Sequence, residues 1–453
     1  MKDLTKGSIV KNLFIYAIPA ILSNLLTRTY STVDSIMVGK LIGENGLAAI
    51  GSTTSFTTTL SSLLWGAGTG IGIYVGSLIN ANKKELSVRA IKSNLLFLLI
   101  VSISISALAI MIYNPIFKLL IVKDEIYKDA LTYYIIILIS QFAVTINSCV
   151  NDIFYMTGNS SHPFRTSLFN CLANVTLNYL FIAVFKLGVL GAAIATLISA
   201  LLVFSYNVFV IIKLCRKLYP IKTPFKIYRK DIGSAWKLAV PCMLQQGLMY
   251  ISSAIVQPIV NGISISATAA YSVCLRLYDI CTIFFYSVSK GLSSLCSQCY
   301  GNGIVNLLKR GFATSLGIAL VFSLPLAIFM IIFPRIVASC FLQDTTGLTA
   351  NYIVRYITLC FPFVVLPILN NLYHNFFRGV LRPTIAMITT SIYSVTRITL
   401  SYVLTPSLAM DGIFLGFILS WATEVIVCTI IFISSVWKTP KFREMEQSLN
   451  TNK

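Results

Sequence analysis

Charge is what this chain of 453 residues has least of: Asp, Glu, Lys and Arg make up 11% of it, against roughly 25% in an ordinary soluble domain. With 56% hydrophobic residues and a mean hydropathy of +0.82, a soluble globular class is excluded. Acidic residues number only 15 and histidines 2. No nucleophile, base and orienting group occur at a suggestive spacing, and no G-x-x-x-x-G-K-[ST] loop is present. An enzyme is therefore not expected, nor a protein that ATP drives through a domain of this chain. Cysteine is present but carries no metal or disulfide pattern. Most of the 11 fall within apolar runs, as Cys149, Cys242, Cys360 and Cys428 do, and the Cys296/Cys299 pair has no second pair or neighbouring His. They read as small hydrophobes.

What fills the chain is long apolar sequence. Charge-free runs over 93–117, 130–151, 187–212 and 311–334 exceed the roughly 20 helical residues needed to cross a hydrocarbon core. Only helices or closed barrels satisfy the backbone in lipid, and these lengths are helical. Allowing single charges inside a helix, spans are expected near 13–38, 46–79, 93–116, 130–156, 164–185 and 187–212. A second set is expected near 236–261, 267–300, 311–334, 350–377, 383–405 and 411–437. The run after Lys11 continues far past a signal-peptide core and has no convincing cleavage site, so the first span is expected to be retained.

The net charge of +20 is better explained by the positive-inside rule than by nucleic acid. With the N-terminus inside, the cytoplasmic segments take Lys83, Lys84, Arg89, Lys92, Arg165, Lys309, Arg310, Arg378 and Arg382. They also take the basic stretch from Lys213 to Lys237 and the tail residues Lys438, Lys441, Arg443 and Lys453. Outside loops keep only Lys40, Lys118, Lys123, Lys128, Lys186 and Arg335. The asymmetry predicts twelve spans with both termini in the cytoplasm of a cell inner (plasma) membrane.

The halves repeat. Tyr16-Ala-Ile-Pro19 aligns with Leu238-Ala-Val-Pro241, Leu47-Ala-Ala-Ile50 with Thr268-Ala-Ala-Tyr271, Gly70 with Gly291 and Gly191 with Gly412, at a near-constant offset of about 221 residues. Six spans per repeat return the chain to the same side, so the halves are parallel and related by a pseudo-two-fold along the membrane normal. The expected organisation is an N-lobe at 1–212, a basic cytoplasmic linker at 213–235, a C-lobe at 236–437 and a tail at 438–453. Two such lobes suit alternating access by rocking.

Within the first span, Asp34 sits among hydrophobic and hydroxyl residues. A carboxylate at that depth is expensive and is functional by default. The structural alternative is a salt bridge to Arg28, but six positions in a helix leave about 120° between the side chains, which disfavours direct pairing.

In order and spacing the chain resembles the multidrug and toxic compound extrusion (MATE) transporters. The resemblance rests on Ala17-Ile-Pro19, Asp34-Ser-Ile-Met-Val-Gly39, Gly46-Leu-Ala-Ala-Ile-Gly51 and Gly158 followed by Pro163. It continues through Asn174-Val-Thr-Leu-Asn-Tyr-Leu-Phe-Ile182 and Gly188-Val-Leu-Gly-Ala-Ala-Ile-Ala-Thr196. It implies an all-α polytopic protein with twelve transmembrane helices in two six-helix lobes forming a V. It also implies antiport of small amphipathic or cationic organic compounds against H⁺ or Na⁺, without a further cofactor and as a monomer in the lipid bilayer.

The resemblance further implies an ion site at Asp34, Tyr30, Asn174, Asn178 and Thr196, with Asn147 and Tyr133 as additional candidates. Asn174 and Asn178, at i and i+4, share a helix face, and their carbonyl oxygens suit a hard cation such as Na⁺. Relatives often carry Asp where this chain has Asn178. The seventh and tenth spans lack the acids that the NorM-like branch uses, which points to the DinF-like branch. Gln245, Gln246, Asn370 and Asn371 supply the polarity there, as substrate contacts or as packing hydrogen bonds.

The remaining intramembrane charges read as structural. Arg276 with Asp279 and Arg397 with Glu424 are expected to pair, and Lys290 to snorkel. Asp152 is expected to be hydrated, with His162 and His374 near cytoplasmic helix ends. The alternative function is a lipid-linked oligosaccharide flippase of the same architecture, for which Arg28, Arg276, Arg355 and Arg397 would supply a basic cavity.

Overall fold

The structure is a computed structural model that describes residues 3–120, 122–220, 228–302, 304, 306–342, 346–434 and 438. Lys222, Lys226 and the tail beyond 438 lie outside them. Among the described residues every regular element is helical. Twelve long segments follow one another: α1 (Ile9–Leu41), α2 (Glu44–Asn80), α3 (Lys84–Met111), α4 (Asp124–Met156), α5 (Ser161–Val184) and α6 (Gly188–Leu218), then α7 (Arg229–Ile263), α8 (Ile265–Asn302), α9 (Asn306–Ile332), α10 (Leu348–Gly379), α11 (Pro383–Leu408) and α12 (Met410–Ser434). Ten of them are long and apolar enough to cross a membrane, and α10 adds an eleventh span, bent by 55° between Leu348–Phe363 and Val365–Gly379. The remaining long helix, α11, is diluted by hydroxyl residues and Arg397.

The chain folds as two compact units. Unit 1 holds Ile18–Met243 and unit 2 holds Asp3–Ala17 with Leu244–Lys453. In each, a glycine of the repeat lets helices approach closely, the small-residue packing expected where lipid offers no hydrophobic drive between helices. In unit 1 a Cβ on Gly70 of α2 would run into the backbone of Ala239 in α7, while on the opposite face Gly72 gives way to Asp152 of α4, whose Cβ would lie 2.8 Å away. In unit 2 the matching Gly291 of α8 faces Tyr16 of α1, whose Cδ1 would lie 2.9 Å from an added Cβ. The repeat read from the sequence thus has a packing counterpart: Gly70 meets the motif at Leu238–Pro241, and Gly291 meets the motif at Tyr16–Pro19.

Polar clamps fix the helix ends. Arg89 of α3 reaches Asp231 of α7 at 3.2 Å and lies over the Tyr228 ring at 4.1 Å, which fastens the first turn of α7 within unit 1. In unit 2, Gln298 Oε1 accepts from the Leu4 backbone N–H at 2.7 Å, and Phe14 stacks on Phe322.

Several charges sit where the sequence did not lead us to expect them. Lys290 is buried with its ammonium over the Tyr286 ring instead of reaching an aqueous surface. Asp152 is 3% exposed and accepts a hydrogen bond from Thr69 at 2.7 Å, so it is held inside the protein. Arg397 and Glu424 do not pair. Arg397 donates to Tyr271 at 2.9 Å and Ser253 at 3.1 Å and lies over Phe417, whereas Glu424 binds His374 at 2.9 Å. His374 is correspondingly buried within α10, and His162 is buried against Phe154 with its Nε2 at 2.9 Å from Asn207.

Candidate functional site

Three helices of unit 1 bring the Asp34 neighbourhood together. α1 runs as one helix through Pro19 and carries Tyr30 and Asp34 one turn apart. α5 presents Asn174 and Asn178 on one face, and directly after Asn178 it loosens into a π-helical turn, Tyr179–Val184. Such turns recur at functional sites because they re-aim side chains without ending the helix. α4 contributes Tyr133.

Asp34 is half-buried, and its Oδ1 accepts from Asn178 Nδ2 at 2.6 Å. The same amide nitrogen donates to Asn174 Oδ1 at 3.0 Å, and Asn174 Nδ2 reaches Ser199 Oγ of α6 at 3.5 Å. The chain of contacts therefore runs from α1 through α5 to α6. Tyr30, set against Asn170 and Cys171, and Tyr133 both lie within electrostatic reach of Asp34. Asn178 is fully buried and Asn174 is 2% exposed, yet Asn178 Oδ1 has no hydrogen-bond partner among the described residues. A buried orphan acceptor costs on the order of 1–3 kcal/mol, so its presence beside a carboxylate marks a place able to accept a cation or a donated proton.

The other candidates make the following contacts. Thr196 turns its hydroxyl back onto the Ala192 carbonyl of its own helix at 3.1 Å. Asn147 spends its amide on the Ala200 carbonyl and on Asn207, in a network that continues to His162. In unit 2, Gln245 bridges Thr390 at 3.0 Å and Arg378 at 2.7 Å. Gln246 is half-buried beside it. Asn370 donates to the Trp421 carbonyl at 3.3 Å, and Asn371 accepts through its backbone from Asn375. Ser199 and Asn170 were missed in the sequence. Each is one helical turn from a recognised position, Thr196 or Asn174, and that spacing was the available signal.

As a donor set for a cation, the site offers one carboxylate, the unengaged Oδ1 of Asn178 and the Oδ1 of Asn174. These hard oxygens fit Na⁺. The carboxylate alone fits H⁺, with Asn178 Nδ2 holding the ionised form.

Twelve long helices, of which ten and the bent α10 are apolar enough to cross a membrane, together with an internal repeat define a multi-pass membrane protein with a half-buried carboxylate held among amides. The MatE family model matches residues 19–180 and 241–403, so the chain belongs to the MatE family of transporters, which are not enzymes. It is 26% identical to "Probable multidrug resistance protein YpnP" of Bacillus subtilis, over 66% of this chain and 67% of that one. It is also 26% identical to the "FAD transporter" of Shewanella oneidensis, over 76% and 77%. The solved structure "Outward-facing conformation of a multidrug resistance MATE family transporter of the MOP superfamily" superposes with a TM-score of 0.88 at 20% identity, covering 96% of this chain and 97% of that one, and shares the fold.

Proposed function

We propose that this chain is a secondary active exporter that moves amphipathic or cationic organic compounds out of the cell in exchange for H⁺ or Na⁺. It alternates access between two lobes, 1–212 and 236–437, joined by the basic linker 213–235. On this proposal it acts as a monomer in the cell inner membrane with both termini cytoplasmic, and a coupling site in the first lobe would go with the DinF-like branch. Curated relatives named as multidrug resistance proteins support the efflux reading.

The observation that carries the proposal is the Asp34–Asn178 contact with the unengaged Asn178 oxygen beside it. An ion arriving there would compete with Asn178 for the carboxylate and would loosen the tie between α1 and α5. That gives the ion a differential affinity for two arrangements of unit 1, which alternating access requires.

The flippase alternative draws less support. Of its basic candidates, Arg355 is engaged by Asp411 at 3.0 Å, and Arg397 is surrounded by hydroxyls and the Phe417 ring.

The test is ethidium transport in proteoliposomes with proton and sodium gradients imposed separately, comparing wild type with Asp34→Asn. Wild type should respond to one gradient, and the variant should insert normally yet lose the response. Transport that is independent of both gradients would refute antiport; an unimpaired Asp34→Asn would refute the site.

A further inference from the structure

Unit 2 holds charges that the function proposed above does not use. His374 Nε2 of α10 lies 2.9 Å from Glu424 Oε1 of α12, with Thr389 Oγ1 at 3.3 Å and Thr390 Oγ1 at 3.4 Å, both from α11. Glu424 is 3% exposed and His374 is 9% exposed. Burying a carboxylate in the middle of an apolar helix costs several kcal/mol and needs a reason. The obvious reason, an ion pair with Arg397, is absent, because Arg397 is engaged by Tyr271, Ser253 and the Phe417 ring.

The partners of the imidazole are chemically adaptable. A threonine hydroxyl donates or accepts as required, and so does a histidine nitrogen. Thr390 is itself held by Gln245, whose carbonyl takes a hydrogen bond from Arg378 at 2.7 Å. With Nε2–H directed at Glu424, a proton can come and go at the other ring nitrogen without breaking that bond, a property that a fixed guanidinium–carboxylate pair does not have.

We propose that His374 and Glu424 form a proton-binding site in unit 2 that takes up and releases one H⁺ during the transport cycle, separately from the ion handled at Asp34. Uptake places the proton on the free ring nitrogen of a neutral His374 and gives an imidazolium held against the Glu424 carboxylate. Release returns the neutral ring with its hydrogen bond to Glu424 intact. The titratable groups facing the pair are Tyr278 from α8, Tyr393 from α11 and Cys428 from α12, with the charged Arg397 of α11 beside Tyr278 and Tyr393. Arg378 of α10 is linked to the pair through Gln245 and Thr390, and Asp279 stands behind Tyr278. The role in transport rests on the antiport function proposed above, whereas the protonation itself does not.

The chain has only 2 histidines, which makes a direct measurement practicable. Nitrogen-15 histidine spectra of the full chain in liposomes, taken between about pH 5 and 9 where imidazole titrates, should show one resonance passing from neutral ring to imidazolium. That resonance should be missing in His374→Gln and shifted in midpoint by Glu424→Gln, yet retained in Asp34→Asn. The His374→Gln variant should also weaken the pH response of ethidium export by roughly fivefold or more, the lower range of site-to-site coupling.

A wild-type His374 resonance fixed in one protonation state across the range overturns the proposal, and that result needs no variant to fold. A midpoint indifferent to Glu424→Gln, or an unaltered pH response of export in His374→Gln, overturns it too. Failure of antiport appears differently, as ethidium movement independent of both gradients while the histidine titration persists.

Discussion

Units 1 and 2 use matching glycines and unlike charges. Gly70 and Gly291 perform the same packing task at matched positions, each accepting a neighbouring helix that carries an aligned motif. The ionisable groups show no such correspondence. Unit 1, besides its buried Asp152 and its Arg89–Asp231 pair, sets one half-buried carboxylate, Asp34, against neutral amides. Unit 2 buries Glu424, His374, Arg378 and Arg397 in hydrogen-bonded contacts. The scaffold repeats because close helix packing in lipid demands small residues at fixed places. The chemistry does not, because a charge can be satisfied by any helix that comes within reach.

The difference predicts unequal tolerance to substitution. Glu424→Leu strands the buried His374 without its carboxylate partner, so a loss of stability on the order of 3 kcal/mol is expected, in the range found for breaking buried pairs. Thermal unfolding in detergent would measure it, with Glu424→Gln, which keeps an acceptor for His374, losing much less. Asp34→Asn should cost little by the same assay, because Asn178 can donate to the new amide oxygen. A stability loss at Asp34 equal to that at Glu424 would erase the contrast between the units.

The shared scaffold can be tested against itself. Gly70→Leu forces a side chain onto the Ala239 backbone, whereas Gly291→Leu meets the ring of Tyr16. Backbone cannot step aside and a ring can rotate, so the first should destabilise by about 2–3 kcal/mol and the second by about 1 kcal/mol. Equal losses in thermal unfolding would mean that Tyr16 is held as rigidly as the Ala239 backbone.

The sequence discloses the two units very unequally. Helices were legible because lipid leaves the backbone no other way to satisfy itself, and the glycine repeat because packing in a membrane selects small residues at a fixed period. Asp34 stood out as a lone acid in an apolar run, and the spacing of Asn174 and Asn178 placed them on one face. The His374–Glu424 pair was not legible. His374 lies near the end of its apolar run, and the 55° bend in α10 that precedes its second segment leaves no clear trace in hydropathy. Arg397 was the mid-span base nearest to Glu424 in sequence and so drew the assignment. Which of two bases an acid meets depends on helix rotation, and apolar sequence on all sides of α12 gives no rotational signal. For a related reason residue type does not disclose the contacts of Thr196 and Asn147: Thr196 turns its hydroxyl onto its own helix, and Asn147 gives its amide to α6.

Two smaller effects sharpen the comparison. Asn178→Ala removes the donor that holds Asp34, and it should lower gradient-driven ethidium export severalfold while costing about 1.5 kcal/mol of stability, the low end for one hydrogen bond to a charged group. Its coupling loss should exceed that of Asn147→Ala, whose contacts lie on Ala200 and Asn207. Smallest of all should be Arg355→Gln. Arg355 contacts Asp411 through two nitrogens at 3.0–3.2 Å, but its side chain is 56% exposed. An exposed pair is screened and hydrated in both states, so its removal should cost less than about 1 kcal/mol and leave export unchanged. If Arg355→Gln instead lost export at full stability, a pair at the protein surface would outweigh the buried cluster, and the assignment of unit 2's working charges to His374 and Glu424 would have to move towards the α10–α12 surface.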